Sequence, residues 1–422
     1  MKAMVIFVLF SGANLFAVAL AAGATETGAA GVPGRPVETA CLETERDETV
    51  ATVEDGVTDV PIRMFGTFII VDVAVNGGEP RPFVLDTGAS GSLVDTSAAP
   101  GIDPAALPPV TVVGVGGEQT FAAAKLDDLA VGGAHVKNVP VALGDLGGLG
   151  GAMGMELGGI LGYDFLRHFV LTLDYDAGRI KFYDRGAFQD PAGVEFLPAE
   201  FDSGHPFVEM GLDSYRGKFV IDLGNASGII LNGDFVAREK LLDKAGARLP
   251  AMLRGAGGAK STEAYVVRMG GAYLGSFEIL KPVVVLPVSG EAPLTCAKDT
   301  IGNLGYGVMS RFTVYFDYPG GRVGLVPGKR FDAPFDYNRA GVVLRPGGDH
   351  YVVEKVMAGC PAAALVAPGD KVVAINGKAA AEVPPPAWAA IWSQPAGTKV
   401  TFTLARANGG TENVSFELAD LL

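Results

Sequence analysis

The stretch FVLDTGASGSLVD, residues 83–95, joins a short apolar run to a run of small residues through one carboxylate, Asp86. Apolar residues before the acid are typical of a buried strand, and Gly88 permits a tight turn directly after it. Backbone N–H groups in such a turn can point at the carboxylate and hold it in its ionised form. Taken alone, Asp followed by Gly at a strand end is more often an ordinary turn. The meaning of Asp86 therefore depends on the rest of the chain.

A second stretch, FVIDLGNAS at residues 219–227, repeats the first, with Asp222 in the place of Asp86. Each stretch is followed by a glycine cluster and then by a longer repeated segment. In that segment LGYDFLRHFVLTLDYDAGRI, residues 161–180, aligns without a gap on LGYGVMSRFTVYFDYPGGRV, residues 304–323. Three landmarks in the same order, twice, indicate a duplicated unit. Two such units about a pseudo-twofold axis would bring the two aspartates side by side.

Two carboxylates at that distance cannot both ionise, so the pair is expected to share one proton. The ionised member can take a proton from a bridging water while the protonated member donates to the scissile carbonyl, which is general acid–base hydrolysis of an amide. Such a pair is expected to work on the acid side of neutrality. The chemistry requires no cofactor, metal or covalent nucleophile. The four histidines share no ligand spacing with cysteine or carboxylate, so no metal site is predicted.

These motifs resemble the retropepsin-like aspartic proteases, in a duplicated single-chain form that covers residues 59 to about 332. The resemblance rests on Asp-Thr-Gly-Ala-Ser at residues 86–90, on the Gly-x-Gly-Gly clusters, and on Ile-Leu-Gly at residues 160–162. Asn-Leu-Gly at residues 303–305 matches less well. The resemblance implies a mainly β fold with two pseudo-symmetric retropepsin-like acid-protease β-barrel lobes, at residues 59–190 and 191–332.

The resemblance also implies roles for individual residues. Asp86 and Asp222 would be the catalytic pair of an aspartic endopeptidase that acts on peptide or protein substrates. The supporting residues of the two active-site loops would be Thr87, Gly88, Ser90, Leu223 and Gly224. In this family a glycine-rich hairpin forms a flap that closes over bound peptide, and here the candidates are Gly114, Gly116, Gly117, Gly255, Gly257 and Gly258.

The second copy departs from the family pattern. Leu223 stands where the first copy has Thr87, so the reciprocal threonine contacts that brace the two loops in the family cannot both form. Asn225 also replaces a small residue. Two alternatives therefore stay open: a catalytically inactive peptide-binding protein that uses the same cleft, or a protease active only as a homodimer through Asp86.

Residues 333–422 belong to neither copy. AGCPAAALVAPGDKVVAINGK, residues 358–378, resembles the PDZ domains attached to bacterial exported proteases, which implies a small α+β domain. Such domains bind peptides or chain ends by adding them as a strand to a sheet edge. The loop that would hold a chain-end carboxylate is expected at Arg339, Ala340, Gly341 and Val342, although the usual Gly-Leu-Gly-Phe string is absent. A plain packing module is the alternative.

The chain begins with Lys2, an apolar run from Met4 to Leu20 and small residues spaced Ala-x-Ala, which predicts a signal peptide over residues 1–24 and a periplasmic or secreted protein. An uncleaved signal would leave a membrane anchor, and no second segment is long and apolar enough to span a membrane. Residues 25–58 lack periodicity and are expected to form a flexible lead-in, with a propeptide left open.

Composition excludes some partners and limits the disulfides. The formal net charge of −14 disfavours binding to nucleic acid, because phosphate backbones are repelled. Three cysteines cannot all pair within one chain. If the protein is exported, one bridge between Cys41 and Cys296 is expected, with Cys360 left free.

Overall fold

The computed structural model describes residues 3–5, 9–12, 49–114, 117–153, 155–202, 204–255, 261–288, 299–383, 385–406 and 409–422. This part of the chain is mainly β, which confirms the predicted fold class. Its helices are short, and none of them is long and apolar enough to cross a membrane.

The strands and helices fall into three groups along the chain. The first group is β1 (Ala3–Val5), β2 (Leu9–Gly12), β3 (Val50–Val53), β4 (Val57–Pro61), β5 (Arg63–Phe65), β6 (Phe68–Val75), β7 (Arg81–Leu85), β8 (Leu93–Asp95), β9 (Pro109–Gly114), β10 (Gly117–Val131), β11 (Ala134–Gly144), α1 (Gly147–Met153), β12 (Gly159–Leu161), α2 (Tyr163–Leu166), β13 (Val170–Asp174) and β14 (Arg179–Tyr183). The second group is β15 (Glu195–Asp202), β16 (His205–Leu212), β17 (Tyr215–Ile221), β18 (Ile229–Leu231), α3 (Gly233–Arg238), α4 (Leu241–Lys244), β19 (Leu249–Gly255), β20 (Ser261–Arg268), β21 (Gly271–Leu274), β22 (Phe277–Leu280), β23 (Val283–Pro287), β24 (Thr300–Leu304), α5 (Tyr306–Met309), β25 (Phe312–Asp317) and β26 (Arg322–Pro327). The third group is β27 (Val342–Pro346), β28 (Tyr351–Val356), β29 (Lys371–Ile375), β30 (Lys378–Ala379), α6 (Pro385–Trp392), β31 (Lys399–Ala405) and β32 (Thr411–Glu417).

The first two groups share one strand connectivity. In lobe 1, β12 lies between β7 and β8, parallel to the former and antiparallel to the latter. In lobe 2, β24 lies in the same way between β17 and β18. Strand β8 then pairs in parallel with β11, as β18 does with β23. The duplication seen in the sequence is therefore a duplication of topology, and β7 and β17, which precede the two aspartates, occupy equivalent positions.

The two lobes are joined by a shared sheet in the order β15-β26-β25-β13-β14-β4. At its centre β13 pairs antiparallel with β25, so the last strands of the two sequence repeats meet each other. Two tyrosine pairs cross between the repeats: Tyr163 contacts Tyr318 with ring centroids 5.8 Å apart, and Tyr175 contacts Tyr306 at 5.9 Å. Tyr163 and Tyr306, and likewise Tyr175 and Tyr318, occupy equivalent positions in the two repeats, so the two contacts are reciprocal.

The start of lobe 1 at residue 59 is a wrong prediction. Strand β3 pairs with β11, and β4 pairs with β14, so residues 50–58 belong to the fold rather than to a flexible lead-in. Their side chains alternate between exposed and partly buried positions, which gives a weak hydrophobic signal in the sequence. Edge strands of this kind are held mainly by backbone hydrogen bonds.

The N-terminal segments that the structure describes also lie as strands. Strand β1 adds in parallel to β9 of lobe 1, and β2 adds antiparallel to β19 of lobe 2. Cys41 and Cys296 lie outside the described residues, while Cys360 is a free, buried thiol.

The third group forms a separate sheet in the order β27-β28-β29-β31-β32, with its own apolar core around the fully buried Trp388 and Trp392. It contacts lobe 2 through an ion pair of 2.6 Å between Lys355 Nζ and Glu263 Oε1 on β20. The connecting segment is held by the buried Arg311, whose guanidinium donates to the carbonyl oxygens of Arg330, Phe331 and Ala333 and stacks 3.8 Å from the ring centroid of Phe335.

Candidate active site

Each aspartate follows a strand that is buried on both sides. Phe83, Val84 and Leu85 are fully buried, because β7 is flanked by β6 and β12 and covered on both faces. The N–H of Asp86 donates to the carbonyl of Leu161 (3.0 Å), and the N–H of Asp222 donates to the carbonyl of Leu304 (2.9 Å). The Leu-Gly elements of the two repeats therefore hold the first residue of each loop.

Both carboxylates are oriented by the turn that follows them. The N–H of Gly88 donates to Asp86 Oδ1 (2.7 Å), and the N–H of Gly224 donates to Asp222 Oδ1 (2.9 Å). A Cβ built on Gly224 would lie 2.5 Å from Cγ and both oxygens of Asp86, and a side chain on Gly88 would overlap the carboxylate of Asp222. Each glycine thus leaves the space that the opposite carboxylate occupies, and the structure brings Asp86 and Asp222 face to face within one chain.

Thr87 braces the two loops alone. Its hydroxyl donates to the carbonyl oxygen of Ile221 (2.8 Å) and accepts from the N–H of Leu223 (3.0 Å), and the side chain is fully buried. Leu223 is also buried and has no hydroxyl with which to reciprocate. Of the two reciprocal threonine contacts that the resemblance implies, the one from Thr87 is therefore formed. At the position of the other, Leu223 packs as a buried apolar side chain.

The outer side of the first loop lies against lobe 2. Gly204, at a φ of +85°, leaves room for Ser90, because a Cβ at this glycine would come within 2.9 Å of the Ser90 Cα and Cβ atoms. His205 follows, fully buried, with Nε2 at 3.0 Å from the carbonyl oxygen of Gly88, so this nitrogen carries the donated proton. His205 is a neighbour of the site that sequence spacing did not reveal.

The environments of the two aspartates differ. Burial and the charge of Asp222 hold the pKa of Asp86 well above its usual range. Burial raises the pKa of Asp222 to about 6, against the opposing effect of hydrogen bonds, the largest of which comes from Asn303. Asp86 Oδ2 is buried without a hydrogen-bond partner among the described residues. Asp222 is thus bonded by two donors, from Gly224 and Asn303, and Asp86 by one, from Gly88, and such donors favour the ionised form of a carboxylate.

Asn303 is the site residue whose role the sequence did not predict. Its Nδ2 donates to Asp222 Oδ2 (2.5 Å), and its Oδ1 accepts from Asn225 Nδ2 (2.8 Å). The only hint was a poor match, since lobe 1 has Ile160 at the equivalent position.

The candidate flaps are hairpins as far as the structure describes them. Strands β9 and β10 pair from Gly114 and Gly117 inward, while Gly116 lies outside the described residues. In lobe 2, β19 ends at Gly255 and pairs with β20, and Gly257 and Gly258 lie outside the described residues.

A cavity of about 160 Å³ lies beside the loop of lobe 2. Its walls are Ser227 and Gly228 of the loop, Met252 of β19, and Phe335 and Tyr337 of the segment that leads to the third domain. A cavity of this size accommodates a group about as large as benzene. The wall from the interdomain segment has no counterpart in the sequence repeat.

The predicted carboxylate loop of the third domain is internally bonded. The N–H groups of Ala340 and Gly341 donate to Asn338 Oδ1 (3.0 and 3.2 Å), and the N–H of Arg339 donates to the carbonyl of Trp392 (3.0 Å). Val342 begins β27, and its carbonyl accepts from the Asn338 amide. A chain-end carboxylate would have to displace Asn338 to reach the N–H groups of Ala340 and Gly341.

Comparison with known proteins finds one family model, which matches the segment around the first loop. Residues 71–165 match the aspartyl protease family model. That segment contains Asp86 and ends before Asp222. The structure is similar to the crystal structure of an aspartic proteinase from Irpex lacteus, with 13% sequence identity, a TM-score of 0.43, and 66% of this chain and 98% of that chain covered. No curated protein sequence matches the chain significantly. The family match supports a protease function in general terms.

Among the described residues, no group of three or more His, Cys, Asp or Glu side chains is arranged to hold a metal ion.

Proposed function

We propose that the protein is an aspartic endopeptidase whose acid and base are Asp86 and Asp222 of the same chain. The observation that carries the proposal is the pair itself: two buried carboxylates on equivalent loops, each facing the glycine of the other. The match of residues 71–165 to aspartyl proteases supports the same chemistry.

In the proposed reaction, Asp222 acts as the base and Asp86 as the acid. The ionised Asp222 accepts a proton from the attacking water, and the protonated Asp86 donates to the carbonyl oxygen of the scissile amide. The proton on Asp222 then passes to the leaving nitrogen as the C–N bond breaks, and a hydroxyl group of the tetrahedral intermediate returns a proton to Asp86 as the carbonyl group of the product acid forms. Thr87, Gly88 and Gly224 hold both carboxylates in position, so that no reorganisation is needed at the moment of reaction.

Extended polypeptides are the proposed substrates. In a mature chain that has lost the proposed signal, β9 and β19 would each be a free sheet edge, because their outer partners β1 and β2 come from residues 3–12. A free edge accepts an extended peptide through backbone hydrogen bonds. The cavity beside Ser227 would then take one apolar side chain of that peptide. Export, proposed from the signal sequence, would give the enzyme its substrates outside the cytoplasm.

The raised pKa values set the expected pH range of the activity. Hydrolysis should rise as Asp222 ionises near pH 6 and fall where Asp86 loses its proton at higher pH, since its pKa lies well above the usual range. The pH optimum of hydrolysis is therefore expected closer to neutrality than the ordinary pKa of an aspartic acid side chain would suggest.

The test is hydrolysis of a peptide mixture by the wild type, Asp86→Asn and Asp222→Asn, with Asp127→Asn on the exposed face of β10 as a control. Both site variants should lose activity by several orders of magnitude and the control should match the wild type. An active Asp222→Asn would favour a homodimer through Asp86. No cleavage by any variant, with an intact affinity for peptide, would favour the binding-protein alternative.

A further inference from the structure

Two departures of lobe 2 from the family pattern, Asn225 and Asn303, contact each other beneath Asp222. Ser227 completes the group: its N–H and its hydroxyl donate to Asn225 Oδ1 (2.8 and 2.7 Å). Asn225 Nδ2 donates to Asn303 Oδ1 (2.8 Å), and Asn303 Nδ2 donates to Asp222 Oδ2 (2.5 Å). Asn225 and Asn303 are fully buried, so solvent does not compete for these bonds.

The direction of this chain of hydrogen bonds is fixed by its first member. A backbone N–H can only donate, so the N–H of Ser227 requires the carbonyl oxygen of Asn225 to face it. The amide nitrogen of Asn225 must then face Asn303, which turns the oxygen of Asn303 toward Asn225 and its nitrogen toward Asp222. Asp222 therefore always meets a donor at Oδ2, and a donor favours the ionised carboxylate over the protonated one.

Lobe 1 has no equivalent of this group. The residues in the same places are Ala89, Gly91 and Ile160, none of which has a polar side chain. Besides the difference between Thr87 and Leu223, the two loops thus differ by three residues of lobe 2 that form this group.

We propose that Asn303, positioned by Asn225 and Ser227, fixes the negative charge of the aspartate pair on Asp222 and leaves the proton on Asp86. This inference rests on the proposed function, in which the two aspartates are acid and base, and it assigns those two roles. Asn303 is a positioning residue, because it acts through Asp222 and not on the substrate.

The titratable surroundings of the pair do not provide the same selection. Asp86 faces Asp222 across the axis: a charge on either carboxylate opposes ionisation of the other, and a bond between the two can be donated by whichever of them holds the proton, so this contact alone does not select the charged member. On the side of the Asp86 loop lie His205, bonded to the carbonyl of Gly88, and Tyr318, whose pKa is raised mainly by burial. Neither group donates to Asp222 in the bonds that orient it.

The first readout is the pH profile of kcat/KM for Asn303→Ile, which restores the residue of lobe 1. The acidic limb of this profile is the rise of kcat/KM as Asp222 ionises. Because Asn303→Ile removes one hydrogen bond to a charged group, this limb should move to higher pH by about one to two pH units. Ser227→Gly should move it less. The control is Asn232→Leu, which removes a lobe 2 amide bonded to Thr300 and away from Asp222. An acidic limb that stays in place in Asn303→Ile would overturn the proposal.

The second readout needs no activity and so separates this proposal from the proposed function. Urea unfolding of the wild type and Asn303→Ile is compared at pH 4 and pH 8, with and without Asp222→Asn. The stability difference between Asn and Ile at residue 303 should grow with pH, because only the ionised Asp222 needs the donor, and this growth should vanish in the Asp222→Asn background. If the wild type shows this pH dependence but cleaves no peptide, the proposed proteolysis is refuted and the proposed charge on Asp222 stands. If the stability difference between Asn and Ile at residue 303 does not change with pH, the proposed role of Asn303 is refuted.

Discussion

Replacing Thr87 by Val tests the brace between the two loops. Val has nearly the same shape as Thr, so the substitution removes the hydroxyl without leaving a cavity. Two contacts are lost: the buried N–H of Leu223 loses its acceptor, and the carbonyl of Ile221 loses a donor. Because the side chain is fully buried, water does not replace either bond.

The expected cost follows from these two contacts. An unsatisfied buried N–H costs about 1–3 kcal/mol, and the net loss of an ordinary hydrogen bond costs about 0.5–1.5 kcal/mol. Thr87→Val should therefore lower the free energy of unfolding by about 2–4 kcal/mol. The loops that carry Asp86 and Asp222 are linked by this hydroxyl, so kcat should fall at least about tenfold, since misplaced reacting groups lose rate steeply.

The measurement is urea unfolding followed by circular dichroism, together with peptide hydrolysis at the optimum pH. Thr172→Val is the matched control, because Thr172 is buried and its hydroxyl has no hydrogen-bond partner in the described part of the chain. That control should be neutral or stabilising. If Thr87→Val unfolds at the same urea concentration as Thr172→Val and keeps its kcat, the single hydroxyl does not hold the loops together.

Two further outcomes are expected. Burial raises the pKa of Asp164 to about 6, above its value in the unfolded chain, so ionisation of this group lowers the free energy of unfolding by up to about 3 kcal/mol as pH rises from about 4 to 6. Asp164→Asn should therefore flatten the slope of the unfolding free energy against pH in that range. An unchanged slope would show that the buried Asp164 carboxyl is not its source. Arg311→Leu should speed tryptic cleavage at Lys329 and Arg330, because the carbonyl groups of the interdomain segment lose their donor; equal cleavage rates would show that the segment is held by other contacts.

Much of the candidate site could be predicted because it repeats. Asp86 and Asp222, the glycine after each of them and the Leu-Gly-Tyr elements recur in one order, and a duplicated unit folds into equivalent loops. The start of lobe 1 was predicted too late, since residues 50–58 are edge strands with little apolar patterning.

The residues that break the repeat could be interpreted only from the structure. Leu223 and Asn225 looked like losses from the second loop, and Asn303 looked like a poor match. Packing places Asn225 and Asn303 in contact although they lie far apart in sequence, and together they present a donor to Asp222. The effect of having Leu223 in place of a threonine also became clear only from the structure. The hydroxyl of Thr87 alone bonds the opposite loop, at the carbonyl of Ile221 and the N–H of Leu223.

The repeated motifs are enough to predict two copies of a β unit, each with one aspartate at the end of a buried strand, because strand burial and turn formation depend on residues close together in the chain. The proposed choice of Asp222 as the charged aspartate can be argued only from the folded chain. That choice depends on burial and on hydrogen bonds from residues distant in sequence, and such contacts exist only once both lobes have folded.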